Sequence, residues 1–259
     1  MAGSHIPRSH PRYWSLMVRE RLVEGFRRGL VVPQGLIAHG RGEAFDYLLG
    51  ETSHPFAIRA EKAAVASMLL AERPVISVNG NYAALAPEWI AELSARTGAL
   101  VEVNLFHRTE ERIVRIYEFL REHGVPNLLP PDCEKARVPG LESARGIVCR
   151  DGIYSADFVL VAIEDGDRTE ALVRWGKRVA AIDLNPFSRT AQKASITIVD
   201  EAIRATRNMA ELAGELRGAG REELRRVVES YDNAETLRLA FRALLDRLSA
   251  AASKGVLEP

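Results

Sequence analysis

Four stretches of this 259-residue chain carry residue types whose spacing suits chemistry at an anion. In "GLIAHGRGEAFDYLLGE" (35–51), His39-Gly40-Arg41-Gly42 precedes a helical pattern of Phe45, Leu48 and Leu49, with Glu43 and Asp46 in its first turn. The spacing predicts a glycine loop: two glycines let backbone amides approach a phosphate, the new helix N-terminus adds its dipole, and Arg41 adds a planar fork. A tight turn with a solvated Arg is the competing reading of these residues alone. Asn79-Gly80-Asn81 follows an apolar run and offers two amides that donate and accept, although Asn-Gly is also an ordinary turn dipeptide. In "EDGDRTEAL" (164–172), Glu164 and Asp165 are candidate Mg2+ ligands, while Asp167 and Glu170 have the spacing of a helix N-cap and its partner.

The fourth stretch, "IDLNPFSRTAQKASITIVDE" (182–201), is the densest. Asp183 and Asn185 stand at a strand end, Pro186 stops the ladder, and Ser188, Arg189 and Thr190 follow within one loop. An Asp so placed takes ribose hydroxyls, and Arg189 with Thr190 suits phosphate. Arg8, Ser9, His10 and Arg12 precede the first helix, where positive charge opposes the helix dipole unless an anion is bound. His54, His107 and His123 read as ordinary surface or packing residues.

The elements that must position these groups follow from periodicity. Helical spacing runs from Pro11 to Arg28 and over 55–72, about 87–96, about 109–122 and about 168–176; short apolar runs at 75–78, 99–106, 157–165, 178–185 and 195–200 read as strands. A proline-rich loop is expected near 126–140. Strands alternating with helices imply an α/β fold, a Rossmann-like parallel sheet with helices on both faces. Beyond residue 200 three Arg- and Glu-rich helices form a C-terminal extension, so the expected division is a core over 1–200 and an extension over 201–259, packed on the core or on a second copy.

Bulk properties narrow the function. The formal net charge is zero, which argues against a nucleic-acid partner, and no apolar run approaches the roughly 20 residues that span a bilayer. Cys133 and Cys149 have no metal-type spacing and are expected as reduced thiols in a cytoplasmic protein. There is no GxxxxGK[ST], GxSxG or HExxH, and no GxGxxG after a strand, so nicotinamide or flavin binding is not expected. Residues 1–5 carry no functional expectation.

Taken together, "IPRSHPRYWSL", "GLIAHGRGEAFDYLLGE", "ISVNGNYAAL", "VNLFHRTEERI", "VPGLE", "IEDGDRTEALVRWGK" and "IDLNPFSRTAQKASITIVDE" resemble the archaeal-type phosphopantothenate synthetase family, in the family's order, from about Ile6 to about Leu248. The resemblance implies an ATP-dependent amide ligase that joins 4-phosphopantoate and β-alanine through an acyl-adenylate, with Mg2+, as a homodimer. It places nucleotide contacts on Arg19, Arg41, Asp183, Leu184, Asn185, Arg189, Thr190, Ile198 and Val199. Family members often have Ser at the Thr190 position; the hydroxyl survives.

On that basis His39, Arg41 and Arg189 are expected to be catalytic, the arginines neutralising phosphate and His39 taking a proton from the amine or polarising the carbonyl. Arg8, His10, Arg12, Asn79 and Asn81 are expected around the phosphopantoate. A nucleotide-binding regulator without turnover is the alternative, and a nicotinamide-dependent reductase of the same pathway is opposed by the missing glycine fingerprint.

Overall fold

The computed structural model describes residues 6–10 and 12–255, so the expected helix start at Pro11 and residues 1–5 lie outside the described residues. Three helices open the chain: α1 (Tyr13–Arg27), α2 (Pro33–Leu49) and α3 (Pro55–Leu70), the last two entered through Pro at the first turn, where a missing N–H costs nothing. Then come β1 (Pro74–Val78), α4 (Gly80–Leu85), α5 (Pro87–Thr97), β2 (Leu100–Val103) and α6 (Glu110–Glu122). A short hairpin, β3 (Lys135–Arg137) and β4 (Ile147–Cys149), precedes β5 (Phe158–Ala162), α7 (Gly166–Arg174), β6 (Arg178–Ile182), α8 (Arg189–Lys193) and β7 (Ile196–Ile198). Helices α9 (Ala202–Leu216), α10 (Arg221–Glu229) and α11 (Asn233–Lys254) close the described chain.

The main sheet has the order β2-β1-β5-β6-β7 with every pair parallel, as expected for an α/β fold. Strand alternation divides its side chains between two cores. Val75, Val159, Val161, Val179 and Ala181 pack with Leu172 of α7 and with Val138, Val148 and Ile153 of the hairpin region. Their neighbours Ile76, Val78, Leu160, Ala180 and Ile182 pack with α3, α5 and α9 on the other face. Helix α9 contributes Ala205, Met209, Ala210 and Ala213 to that same core, while Leu237, Ala240 and Leu244 of α11 pack with Leu49, Phe56 and Val199.

Strand order reverses between β1 and β5, and the crevice of a doubly wound sheet opens at such a point. Asn79 occupies it. Its Oδ1 accepts the Tyr82 amide at 3.0 Å and caps α4, while its Nδ2 donates to the carbonyls of Ala162 (2.8 Å) and Ile163 (3.2 Å) beyond β5. Asn81 donates to the Gly35 carbonyl at 2.8 Å; a Cβ on Gly35 would stand 2.2 Å from the Asn81 Oδ1, so only glycine lets α2 settle there. Both amides are therefore committed to structure.

Four local expectations are corrected. His39-Gly40-Arg41-Gly42 is not a loop but the middle of α2, because Pro33 and the Asn81 anchor start the helix two turns earlier and outweigh the roughly 1 kcal/mol helix penalty of each glycine. The cap of α7 is Asp165, which accepts the Arg168 amide at 2.9 Å, and Asp167 lies inside the helix. Part of the proline-rich segment forms the antiparallel β3–β4 pair. That pairing brings the Cα atoms of Cys133 and Cys149 to 5.6 Å, and the two are bonded as a disulfide rather than free thiols. Sequence spacing hides such a contact, since 16 residues separate the pair.

Asn79→Ala removes a helix cap and takes the Asn79 donor from the buried Ala162 carbonyl and the part-buried Ile163 carbonyl. We expect a loss of about 2–3 kcal/mol in unfolding free energy, read from urea denaturation.

Candidate functional site

Beyond the carboxyl ends of β5, β6 and β7 lies a cavity of ≈ 240 Å³ whose walls include His39, Arg41, Glu164, Asp183, Asn185 and Glu201. Helix α2 forms its roof and brings His39 and Arg41 over the strand ends. A second cavity of ≈ 630 Å³ lies among α1, α2, α5 and α9, with Arg12, Trp14, Arg21, Asp46, Trp89 and Arg204 in its walls. His39, Leu184 and Glu201 line both.

The loop after β6 folds on itself. Asp183 accepts the Asn185 amide at 2.9 Å and the Ser188 hydroxyl; Ser188 in turn caps α8 by accepting the Ala191 amide at 2.9 Å. Burial raises the Asp183 pKa above the ordinary carboxylate value, against those two hydrogen bonds. Burial likewise lowers the His39 pKa, with Glu43 opposing and Arg19 adding to the shift, so the imidazole is neutral at pH 7, and its Nε2 is buried without a hydrogen-bond partner among the described residues. Arg19 donates from Nε to Glu43 Oε1 at 2.9 Å and from Nη2 to the Tyr47 hydroxyl at 2.7 Å, and Tyr47 donates to Glu43 at 2.6 Å. Although burial works to raise the Glu43 pKa, these partners bring it below its ordinary value.

Not every expected residue comes to this place. Arg41 is exposed at the rim of the first cavity, and Arg12 lies in the wall of the second, its guanidinium 4.6 Å from the Tyr47 ring centre. Arg8 and His10 are exposed ahead of α1, outside both walls. Arg189 turns the other way: its guanidinium is gripped by Asp167 and Glu170 of α7 and lines a separate depression with Phe106 and Trp175. Thr190 is buried and donates to the Glu164 carbonyl at 2.8 Å. Ile198 and Val199 are buried side chains at the end of β7, and the Ile198 carbonyl accepts the Asp183 amide at 3.0 Å.

Glu164 and Asp165 are engaged by arginine. Glu164 pairs with Arg145 and, at 2.5 Å, with the fully buried Arg168; Asp165 Oδ2 stands 2.9 Å from Arg145 Nε. Among the described residues no group of three or more His, Cys, Asp or Glu is arranged around a common point for a metal. With their oxygens held by Arg145 and Arg168, these two carboxylates do not fit Mg2+.

Several wall residues escaped the sequence reading. Asp200 and Glu201 end the "VDE" run, a visible signal of paired acids after a strand. Arg204 and Asp46, and Glu61 behind the wall, gave none, because their contact is made only by packing α2 and α3 against α9. Arg204 bonds Asp46 through both terminal nitrogens (3.0 and 2.6 Å) and Asp200 at 2.7 Å. Burial disfavours its charge, but these carboxylates more than offset that and raise its pKa. Behind them the fully buried Glu61 is pushed up to about 9, first by burial and then by the negative charge of Asp200.

The fold and the cavities define an α/β protein with a cavity beyond the carboxyl ends of its parallel strands, the side on which open α/β sheets bind ligands. The model of the phosphopantothenate/pantothenate synthetase family matches residues 56–247. The chain is 53% identical over 252 residues to the 4-phosphopantoate--beta-alanine ligase of Thermococcus kodakarensis, covering 97% of each protein. It is 49% identical over 249 residues to the protein of that name from Methanosarcina mazei, covering 96% of this chain and 98% of the relative. The chain belongs to the phosphopantothenate/pantothenate synthetase family.

The Glu61 shift makes a stability prediction. In the folded protein the carboxyl keeps its proton to about pH 9, whereas unfolded it ionises near 4.5, so its contribution is full below pH 4.5 and declines as pH rises toward 9. Glu61→Gln removes that decline: the variant's Tm relative to the native chain should climb between pH 5 and pH 8, in matched thermal melts, and a pH-independent difference would contradict it.

Proposed function

We propose that this chain is an ATP-dependent acid–amino-acid ligase that joins 4-phosphopantoate and β-alanine into 4'-phosphopantothenate, releasing AMP and diphosphate through a phosphopantoyl-adenylate. The observation that carries this is the pair of cavities sharing His39, Leu184 and Glu201, in a chain matched nearly end to end by relatives bearing that ligase name.

The cavity over the strand ends suits the nucleotide, with Asp183 and Asn185 at the ribose and Arg41 at the phosphates. The larger cavity suits the two acids, with Arg12 near the phosphate of phosphopantoate. In the first step a carboxylate oxygen of phosphopantoate attacks the α-phosphorus, the bond from that phosphorus to the bridging oxygen breaks, and diphosphate leaves. Arg41 offsets charge that would otherwise keep the anions apart. In the second step the neutral His39 takes a proton from the β-alanine ammonium, the freed nitrogen lone pair attacks the acyl carbon, and the acyl–oxygen bond breaks so that AMP departs with the second nitrogen proton. Arg189, held by Asp167 and Glu170, fixes α8 against α7 and so positions the Ser188–Asp183 loop.

A surface patch supports a homodimer. Phe241, Leu245 and Leu248 share one face of α11, Leu245 and Leu248 are exposed, and the Phe187 ring stands 4.7 Å from Phe241 and 6.1 Å from Phe45. Leu245→Arg is expected to convert a dimer to monomer in analytical ultracentrifugation; unchanged sedimentation would remove this face from consideration.

The activity itself is tested by AMP release from ATP and Mg2+ with each acid alone and with both. AMP and 4'-phosphopantothenate should accumulate only with both acids, unphosphorylated pantoate should not substitute, and ATP binding without turnover would instead indicate a regulator. In His39→Asn, amide formation should fall about 100-fold, with phosphopantoate-dependent exchange of diphosphate into ATP much less affected. An equal loss in both would exclude His39 from the amine step.

A further inference from the structure

The walls of the two cavities hold several carboxylates, and nearly all are spoken for. Asp46 and Asp200 are bonded to Arg204, Glu43 to Arg19 and Tyr47, Asp183 to Asn185 and Ser188, Glu164 to Arg145 and Arg168, and Glu88 to Arg21. Glu51 is half-exposed to water. Glu201 differs. It is 7% exposed, its Oε2 accepts the amides of Ile203 (2.9 Å) and Arg204 (3.1 Å), and its Oε1 is buried with no hydrogen-bond partner among the described residues.

A buried carboxylate oxygen left unbonded is destabilising, so its retention calls for a partner that arrives from outside. The residue type points the same way. Glu201 is the N-cap of the 15-residue helix α9, a position where Ser, Thr, Asp and Asn are strongly preferred because their short side chains reach the amides and end there. Glutamate caps with one oxygen and leaves the second without a partner among the described residues, on a residue that lines both cavities. Local propensity has been set aside at a site, which is where such departures concentrate.

We propose that Glu201 is the subsite for the ammonium group of the amine substrate, its Oε1 accepting a charge-assisted hydrogen bond from the nitrogen and aiming it at the acyl carbon. The inference rests on the ligase reading above and deepens it. The other wall carboxylates are bonded to arginine, to Tyr47 or to the loop after β6, or, in the case of Glu51, are half-exposed, which leaves Glu201 Oε1 as the buried acceptor for an incoming cation. Two amides fix the carboxylate, so the nitrogen is oriented before reaction rather than during it. One ammonium proton passes to His39; the freed electron pair forms the C–N bond; the bond from the acyl carbon to the adenylate oxygen breaks with its electrons on AMP, and the second proton goes to the leaving phosphate. Burial raises the Glu201 pKa, and an ammonium partner would favour its ionised form.

The test uses two acceptors that differ in charge. Hydroxylamine is neutral near pH 7.5, captures an acyl-adenylate as a hydroxamate, and needs no anion to hold it. In Glu201→Gln, which keeps a cap oxygen, kcat/KM for β-alanine should fall about 10- to 100-fold, chiefly through KM, while hydroxamate formation stays within about threefold of the native chain. Glu201→Asn, a favoured cap type, should show the same split, so the result does not hang on the folding of one variant. Equal losses with both acceptors in both variants, or an unchanged KM for β-alanine, would overturn the assignment. Native protein that forms neither hydroxamate nor AMP with phosphopantoate would overturn the ligase reading itself, and the subsite with it.

Discussion

A parallel sheet ends all its strands at one edge, and the reversal of strand order between β1 and β5 decides where that edge can open. Asn79 bridges the reversal by bonding the chain beyond β5, and α4 starts directly on it, which closes the β1 side. The open volume is thereby displaced over β5, β6 and β7, where α2, anchored by Asn81 at Gly35, forms its roof. Asp183, Asn185, Asp200 and Glu201 then face the cavity because each lies one to three residues beyond the last residue of β6 or β7.

The second theme is charge held in place by charge. A chain with no net charge has taken several arginines inward, and each is matched: Arg204 between Asp46 and Asp200, Arg145 and Arg168 around Glu164 and Asp165. Removing one member of such a pair costs about 3–5 kcal/mol because the other remains buried and uncompensated, so these networks hold α2, α7 and α9 to fixed positions. Against that background His39 Nε2 and Glu201 Oε1, buried without a hydrogen-bond partner among the described residues, belong to residues that line both cavities.

The same saturation separates the residues expected from sequence into two groups. His39, Arg41, Asp183, Leu184 and Asn185 line one cavity, while Arg189 and Thr190 serve the α7–α8 junction, where Gly166 allows the Arg189 Cβ to approach closely. A polar residue in a loop near a strand end can be turned toward the ligand or toward a neighbouring helix. Residue type alone does not distinguish the two, since a guanidinium bonds carboxylate and phosphate equally well.

Periodicity determined the α/β alternation, the parallel sheet and most helix spans, because apolar spacing reports burial one element at a time. The blocks from 6 to 248 likewise determined the family, since long runs matched in order across most of the chain carry more than the apolar spacing of a fold. Tertiary structure decided what depends on two distant segments meeting: that the His39–Gly42 run is helical, that Cys133 reaches Cys149, that Glu164 belongs to Arg145 and Arg168, and that Glu201 keeps an oxygen free. Each of these turns on which partner occupies the last few ångströms around a side chain, and that is set by packing between elements rather than by the order of residues within one.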